Sequence, residues 1–185
     1  MKLMKQQEPI IRVAVALGSN LGNKKEFLIA ARQELLHLGE HFRFSQLYMT
    51  EAVDSPIDLP FLNAAVSFDT KLSALHLLQE LHRIEKLHGR VRSKRNAPRT
   101  LDLDLLLYGS EHFSIPSLEV PHPRLQQRLF VLVPLSEVWD MNFCPPKLSK
   151  PLAYYLELNK NRQSESLPVP CLDVYWDMMP PVEDN

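Results

Sequence analysis

The sequence predicts an α+β fold, a ferredoxin-like β-α-β-β-α-β sandwich in which helices pack on one face of a mostly antiparallel sheet. Four short segments rich in apolar residues have the length of strands, and two segments with helical spacing separate the first from the second and the third from the fourth. The chain of 185 residues is 45% hydrophobic and 23% charged. It is therefore long enough to bury a core without disulfides or a structural metal.

The first half of the chain supplies a strand, a helix and a second strand. Residues 12–17 form an apolar, partly β-branched run that is typical of a buried strand. Asn23 is placed to cap the following helix, whose apolar residues recur at helical spacing up to Leu38. Gly39 stands where a glycine commonly ends a helix, and residues 42–49 are predicted as the second strand.

The second half of the sandwich repeats this order. Residues 61–70 are predicted as the third strand. Ser73 is placed to cap a second helix with one apolar face, and Gly89 is placed to end it. Residues 101–108 are predicted as the fourth strand.

The remainder of the chain changes character. An apolar stretch covers residues 129–135, and a short helix is predicted near residues 152–158. We predict one domain over residues 10–162 and a Pro-rich, extended C-terminal segment over residues 163–185. Its apolar side chains suggest that part of this segment packs on the domain or on a second chain, and we expect its removal to spare the chemistry.

Composition excludes several classes of function. Lys and Arg number 21 and Asp and Glu 22, so the net charge of −1 argues against a globally basic nucleic-acid binder. Cys144 and Cys171 form neither a zinc pattern nor a disulfide framework. No apolar run approaches the roughly 18 residues of a membrane span. We expect a cytoplasmic protein that binds neither nucleic acid nor membrane, and a monomer, with a dimer left open.

The fourth predicted strand carries two aspartates, Asp102 and Asp104, in an otherwise apolar run. Residues two apart on a strand point to the same face, so the two carboxylates repel each other unless a cation lies between them. Mg²⁺ is commonly bound by one or two carboxylates together with substrate phosphates. The pattern therefore suggests a metal-phosphate site, and the alternative is an edge strand with one solvated face.

The segment before this strand is strongly basic. Between Lys86 and Arg99 there are six cationic side chains and no acid. They are Lys86, Arg90, Arg92, Lys94, Arg95 and Arg99. Because guanidinium groups bind phosphate oxygens bidentately, a cationic loop beside a dicarboxylate strand suggests a nucleoside triphosphate site. A solvated loop or a nucleic-acid patch is the alternative, and P-loop and Rossmann glycine motifs are absent from the sequence.

Three further features give weaker signals. Phe61 and Asn63 share one face of the third strand and are suited to stack on and read a flat heterocycle, although a core position for Phe61 is the simpler interpretation. His122 lies between two prolines in a loop and is either a ligand contact or a surface residue. Arg128 and Phe130, two apart on a segment predicted to be extended, would share a face as a cation and a ring.

Five motifs in one order resemble the 6-hydroxymethyl-7,8-dihydropterin pyrophosphokinases of folate synthesis. They are Ala16 to Gly22, Phe61 to Val66, Gly89 to Arg92, Pro98 to Asp104 and Val120 to Arg124. The resemblance covers residues 10–162 and implies that this range is the pyrophosphokinase domain. It implies transfer of the pyrophosphoryl group from ATP, as co-substrate, to the hydroxymethyl group of the pterin, with AMP as the other product.

The resemblance also implies roles for individual residues. Asp102 and Asp104 would hold two Mg²⁺ ions, and Arg90 and Arg99 would be catalytic. The ATP contacts would be Glu85, Arg90, Arg92, Arg99, His122 and Arg128. The pterin contacts would be Thr50, Phe61, Asn63, Phe130 and Asp102, with the two rings on either side of the pterin.

Two alternatives to an active enzyme stay open at this point. Asn96 and Ala97 replace an aromatic residue and a glycine that many relatives carry before the Pro-Arg pair, which suggests a weakly active or inactive homologue that binds pterin or nucleotide. A ferredoxin-like RNA-binding domain would use the basic loop. The net charge and the lack of an aromatic ribonucleoprotein motif argue against it.

Overall fold

The computed structural model describes residues 9–51, 59–90, 98–162, 166–171 and 176. The elements in chain order are β1 (Ile11–Ser19), α1 (Lys24–Leu35), β2 (Glu40–Phe44), β3 (Leu47–Thr50), β4 (Phe61–Thr70), α2 (Ala74–Leu87), β5 (Asp102–Tyr108), β6 (Phe113–Ile115), β7 (Leu118–Val120), α3 (Leu129–Val138), α4 (Leu152–Arg162) and β8 (Val169–Cys171). None of these helices is both long enough and apolar enough to cross a membrane.

The main sheet confirms the predicted α+β architecture. Its strands follow the order β5-β1-β4-β3-β8, with β2 also paired to β4, and neighbouring strands are antiparallel. The predicted single strand over residues 42–49 is instead two strands, β2 and β3. Phe44 lies opposite Val66 of β4, and Tyr48 lies opposite Asn63. Four steps along the chain from β2 to β3 therefore correspond to only three steps along β4. The extra residue is a bulge that divides the strand.

Helices cover both faces of the sheet, whereas the sequence predicted them on one. α1 and α2 pack on the first face, with the odd-numbered residues Val13 and Val15 of β1. α3 and α4 pack on the second face, with Ala14 of β1 and Ala65 of β4. The stretch predicted as extended around Arg128 is thus the start of α3, because an evenly apolar run carries no periodicity that separates a buried helix from a buried strand.

The predicted caps are confirmed for both main helices, with one correction. Asn23 and Ser73 accept hydrogen bonds from backbone amides three residues on, and Gly89 has a left-handed φ of 78°. Gly39 has an extended φ of 177° and lies after a short 3-10 turn, so it is not the left-handed cap we predicted. A Cβ there would lie 2.1 Å from the carbonyl oxygen of Asp69, and close packing on β4 therefore requires glycine.

Part of the C-terminal segment joins the fold. β8 pairs with β3, and Trp176, 1% exposed, belongs to the core on the α1 and α2 side. The predicted packing of this segment on the domain is confirmed for these residues. The helix predicted near residues 152–158 is α4.

Candidate active site

Gly18 of β1 lines a cavity on the α3 side of the sheet. Gly18 lies between Asn63 of β4 and Asp102 of β5, and Ala16 lies opposite Asp104. A Cβ on Gly18 would lie 3.2 Å from Oδ1 of Asn63. The glycine therefore leaves open space between the polar side chains of the two flanking strands.

Two carboxylates of β5 line this cavity. Asp102 and Asp104 alternate along the strand with the buried Leu103, which faces the opposite core. Oδ1 of Asp102 lies 2.5 Å from Nη1 of Arg90, and its Oδ2 accepts a hydrogen bond of 2.6 Å from Nη1 of Arg99. The predicted placement of both acids on one face is confirmed.

The electrostatics of Asp104 favour a cation at this position. Burial, and next the charge of Asp102, raise the pKa of Asp104 to about 6, and Arg128, Arg90 and Arg99 oppose this rise. A second ionised carboxylate is thus unfavourable beside the first, even with arginines nearby. These two carboxylates fit a divalent cation, which would favour the ionised form of both.

The arginines are held by residues behind the cavity. Arg90 follows α2 and pairs with Glu85, which is 2% exposed and also accepts a hydrogen bond of 2.8 Å from the backbone amide of Leu103. Two hydrogen bonds join the backbone of Arg99 to Asn20. The backbone amide of Arg99 donates to Oδ1 of Asn20 at 2.8 Å, and the backbone amide of Asn20 donates to the carbonyl oxygen of Arg99 at 3.2 Å. This role of Asn20 was not predicted, and its signals in the sequence are its place after the Gly-Ser turn and within the Ala16 to Gly22 motif.

His122 lies against the carboxylates in its neutral form. Its amide donates to the carbonyl of Leu106, and its Nε2 lies 3.9 Å from Oδ2 of Asp104. Burial, and next the charges of Arg128 and Arg124, lower the pKa of His122 to about 4. Its Nδ1 accepts a hydrogen bond of 3.2 Å from the amide of Arg124. The proton of the neutral ring is therefore on Nε2, on the Asp104 side.

The opposite wall carries the aromatic and amide side chains. Thr50 at the end of β3 lies opposite Phe61, and its Oγ1 accepts a hydrogen bond of 2.8 Å from Nδ2 of the buried Asn63. Phe130, at the start of α3, lies with its ring centre 5.2 Å from the guanidinium carbon of Arg128. Phe61 and Phe130 both line the cavity, so Phe61 is a wall residue and not part of either core cluster.

The cavity has a volume of about 290 Å³ and brings together ten of the predicted site residues. They are Thr50, Phe61, Asn63, Arg90, Arg99, Asp102, Asp104, His122, Arg128 and Phe130. Glu85 lies behind Arg90 and is not among the lining residues, and Arg92 lies outside the described residues. Gly18, Glu51 and Arg124 also line the cavity and were not predicted as site residues. Gly18 and Arg124 had a signal, since they lie in the Ala16 to Gly22 and Val120 to Arg124 motifs.

Known proteins resemble this chain over most of its length. The profile of the 7,8-dihydro-6-hydroxymethylpterin-pyrophosphokinase (HPPK) family matches residues 14–140. The 2-amino-4-hydroxy-6-hydroxymethyldihydropteridine pyrophosphokinase of Pseudomonas aeruginosa is 45% identical over 132 residues, covering 70% of this chain and 81% of the relative. The enzyme of the same name from Bacillus subtilis is 41% identical over 129 residues, covering 67% and 75%.

A solved structure shows the same fold. The crystal structure of wild-type Plasmodium falciparum HPPK-DHPS with pteroate matches with a TM-score of 0.67 at 13% identity, over 86% of this chain. The match spans 44% of the Plasmodium chain. The family profile and the two bacterial relatives together show that the chain belongs to the 7,8-dihydro-6-hydroxymethylpterin-pyrophosphokinase family.

Proposed function

We propose that the 290 Å³ cavity is where the chain carries out its reaction. Family membership makes the chain an ATP-dependent diphosphokinase, which transfers the pyrophosphoryl group of ATP to hydroxymethyldihydropterin in folate synthesis. One observation carries the placement of this reaction. The two carboxylates of β5 meet Arg90, Arg99 and Arg128 at one wall, and two phenylalanines line the same cavity. Charge neutralisation and positioning are the main needs of such a transfer.

We assign Asp102 and Asp104 as the residues that would hold Mg²⁺. Among the described residues no cluster of three or more His, Cys, Asp or Glu side chains is arranged to hold a metal. Two carboxylates suffice for Mg²⁺ when phosphate oxygens and water complete its octahedral shell. The raised pKa of Asp104 supports this assignment. When bound, Mg²⁺ supplies charge neutralisation on the phosphate oxygens, and two ions remain our prediction.

Arg99 is the arginine best placed to act on the phosphates. Its backbone is fixed by Asn20, whereas its guanidinium contacts Asp102 at the cavity wall. Arg90 is held on both sides by Glu85 and Asp102, so a substitution there would also disturb β5. Arg128 lies close enough to Asp104 to lower its pKa, and we assign it to the triphosphate as well.

The opposite wall is suited to the pterin. Asn63 uses Nδ2 on Thr50, which leaves Oδ1 near Gly18 as an acceptor for the edge of a heterocycle. Phe61 and Phe130 contribute aromatic surface to the same cavity, and stacking on a flat bicycle contributes about 0.5–1.5 kcal/mol per ring pair beyond area burial. The hydroxymethyl group would then face the carboxylates.

Arg99→Ala tests the assignment of the reacting centre. If Arg99 acts on charge that develops during transfer, kcat falls by about 100-fold or more, while the KM for the pterin changes little. Arg83→Ala is the control, because Arg83 is a cation of α2 that pairs with Glu80 and Glu34 away from the cavity. A raised KM for ATP with unchanged kcat would instead make Arg99 a docking residue.

The cytoplasmic location and monomeric state expected from the sequence stay predictions.

A further inference from the structure

We propose that the C-terminal segment is a positioning element for the pterin side of the cavity, and that it acts through β3. This inference rests on the proposed function of the cavity. β3 has only four residues, Leu47–Thr50, and its last residue is the Thr50 that pairs with Asn63 at the cavity wall. Anything that fixes β3 therefore fixes part of the surface on which the pterin would lie.

The outer edge of β3 is covered by the C-terminal segment. β4 pairs with one side of β3, and β8 (Val169–Cys171) pairs with the other, from Leu47 opposite Cys171 to Met49 opposite Val169. Without β8 this four-residue strand would be an unpaired edge next to a bulge. Short edge strands of this kind have fewer backbone hydrogen bonds and open more readily.

Trp176 also holds the start of β3, through hydrogen bonds to the bulge and to α1. Its indole Nε1 donates a hydrogen bond of 2.8 Å to the carbonyl oxygen of Ser45, the residue at the bulge between β2 and β3. Its own carbonyl oxygen accepts a hydrogen bond of 2.7 Å from Nη1 of the buried Arg32 in α1. The guanidinium carbon of Arg32 lies 4.0 Å from the ring centre of Phe44 and 5.1 Å from that of Trp176. The indole thus joins α1 to the start of β3.

The bulge and β3 are also held from the α3 face of the sheet. Glu137 of α3 accepts a hydrogen bond of 2.8 Å from the amide of Gln46 and pairs with the hydroxyl of Tyr48. The bulge and β3 are therefore held between α3 and the C-terminal segment. Asp102 and Asp104 lie on β5, which β1 and β4 separate from β3, and Arg99 contacts Asp102 there. Loss of the C-terminal contact should then weaken pterin binding and leave the ATP side unchanged.

Steady-state kinetics of Trp176→Ala and Trp176→Phe test this proposal. Because weakening about one hydrogen bond to a ligand lowers its affinity by about tenfold, we expect Trp176→Ala to raise the pterin KM about tenfold. The ATP KM and the kcat at saturation should stay within about twofold of wild type. Trp176→Phe keeps a ring but loses the donor to Ser45, so it should give a smaller rise. Leu167→Ala, a 59% exposed residue of the same segment, is the control and should match wild type.

Hydrogen exchange of the full-length protein provides a readout that does not need the reaction. Both Trp176 variants should exchange the amides of residues 47–50 faster than wild type, with those of β1 and β5 unchanged. If Trp176→Ala fails to fold, the pterin KM and the exchange rates of Trp176→Phe decide whether the proposal holds. An unchanged pterin KM, or pterin and ATP KM values that rise together, would overturn the proposal. A wild-type protein that forms no AMP would refute the proposed function instead, and the exchange result would still stand.

Discussion

Glu85→Ala should destabilise the protein, because it removes a buried carboxylate that accepts a hydrogen bond and forms an ion pair behind the cavity. Glu85 is 2% exposed, pairs with Arg90, and accepts the backbone amide of Leu103 at 2.8 Å. The substitution removes the side-chain acceptor of the Leu103 amide, which links β5 to α2. It also removes one of the carboxylate partners of Arg90. Our structure thus gives Glu85 a supporting position, whereas the family resemblance implies a contact near the nucleoside.

The magnitude follows from these two contacts. Breaking a buried ion pair from one side costs about 3–5 kcal/mol, and a buried amide without its acceptor costs about 1–3 kcal/mol. Arg90 keeps Asp102 as a second partner, so we place the loss near the low end, at about 3 kcal/mol. At about 2–4 °C per kcal/mol for a chain of this size, the melting temperature should fall by about 6–12 °C.

The assay is thermal unfolding of Glu85→Ala, Glu85→Gln and Glu80→Ala without ligands. Glu80→Ala is the matched control on the same helix, because its pair with Arg83 is exposed and contributes about 0–1 kcal/mol. Glu85→Gln keeps an oxygen for the Leu103 amide and should lose less stability than Glu85→Ala. A Glu85→Ala protein that melts within 2 °C of wild type but binds ATP poorly would refute our reasoning and make Glu85 a nucleoside contact.

Three other predictions concern the cavity and the sheet. Phe61→Ala should raise the pterin KM at least about tenfold with little change in melting temperature, because the ring lies outside both core clusters, and early melting would instead make it a core residue. Metal-free Asp104→Asn should be more stable than wild type above pH 6, by on the order of 1 kcal/mol after screening of a partly exposed group. That advantage should vanish below about pH 4, where the wild-type carboxyl is protonated in both the folded and unfolded states, and a pH-independent difference would contradict the raised pKa of about 6. Gly39→Ala should cost about 2–4 kcal/mol of unfolding free energy because its Cβ meets the carbonyl of Asp69, whereas Gly89→Ala, with open space but a left-handed φ, should cost about 1–2 kcal/mol. Equal losses at the two glycines would contradict the close approach.

Local patterns predicted the elements that have strong local signals. β4 has the predicted bounds, Phe61–Thr70, and both helix caps lie at the predicted residues. The two aspartates could be assigned to one face because strand periodicity depends only on neighbouring residues. Their partners could not be derived in the same way. Asn20 holds Arg99 across 79 positions of the chain. Both residues lie in family motifs, but the local pattern around neither one indicates this contact.

The errors have related causes. The first seven residues of α3 are all apolar because the helix lies between the sheet and α4, so no periodicity marked Leu129–Val138 as a helix. The bulge at Ser45 depends on how β2 and β3 pair with β4, which the sequence of either strand alone does not show. β8 is too short to be recognised without its partner strand.

The most direct test of our central assignment compares wild type with Asp104→Asn in one assay. Each protein is incubated with ATP, Mg²⁺ and 6-hydroxymethyl-7,8-dihydropterin, and the nucleotide product is identified. We predict that wild type forms AMP in equal amount with the pterin diphosphate, and that Asp104→Asn forms it at least about 100-fold more slowly. The variant should have an equal or higher melting temperature without metal, which shows that its fold is intact. Near-normal AMP formation by Asp104→Asn, or ADP as the product of wild type, would contradict the account.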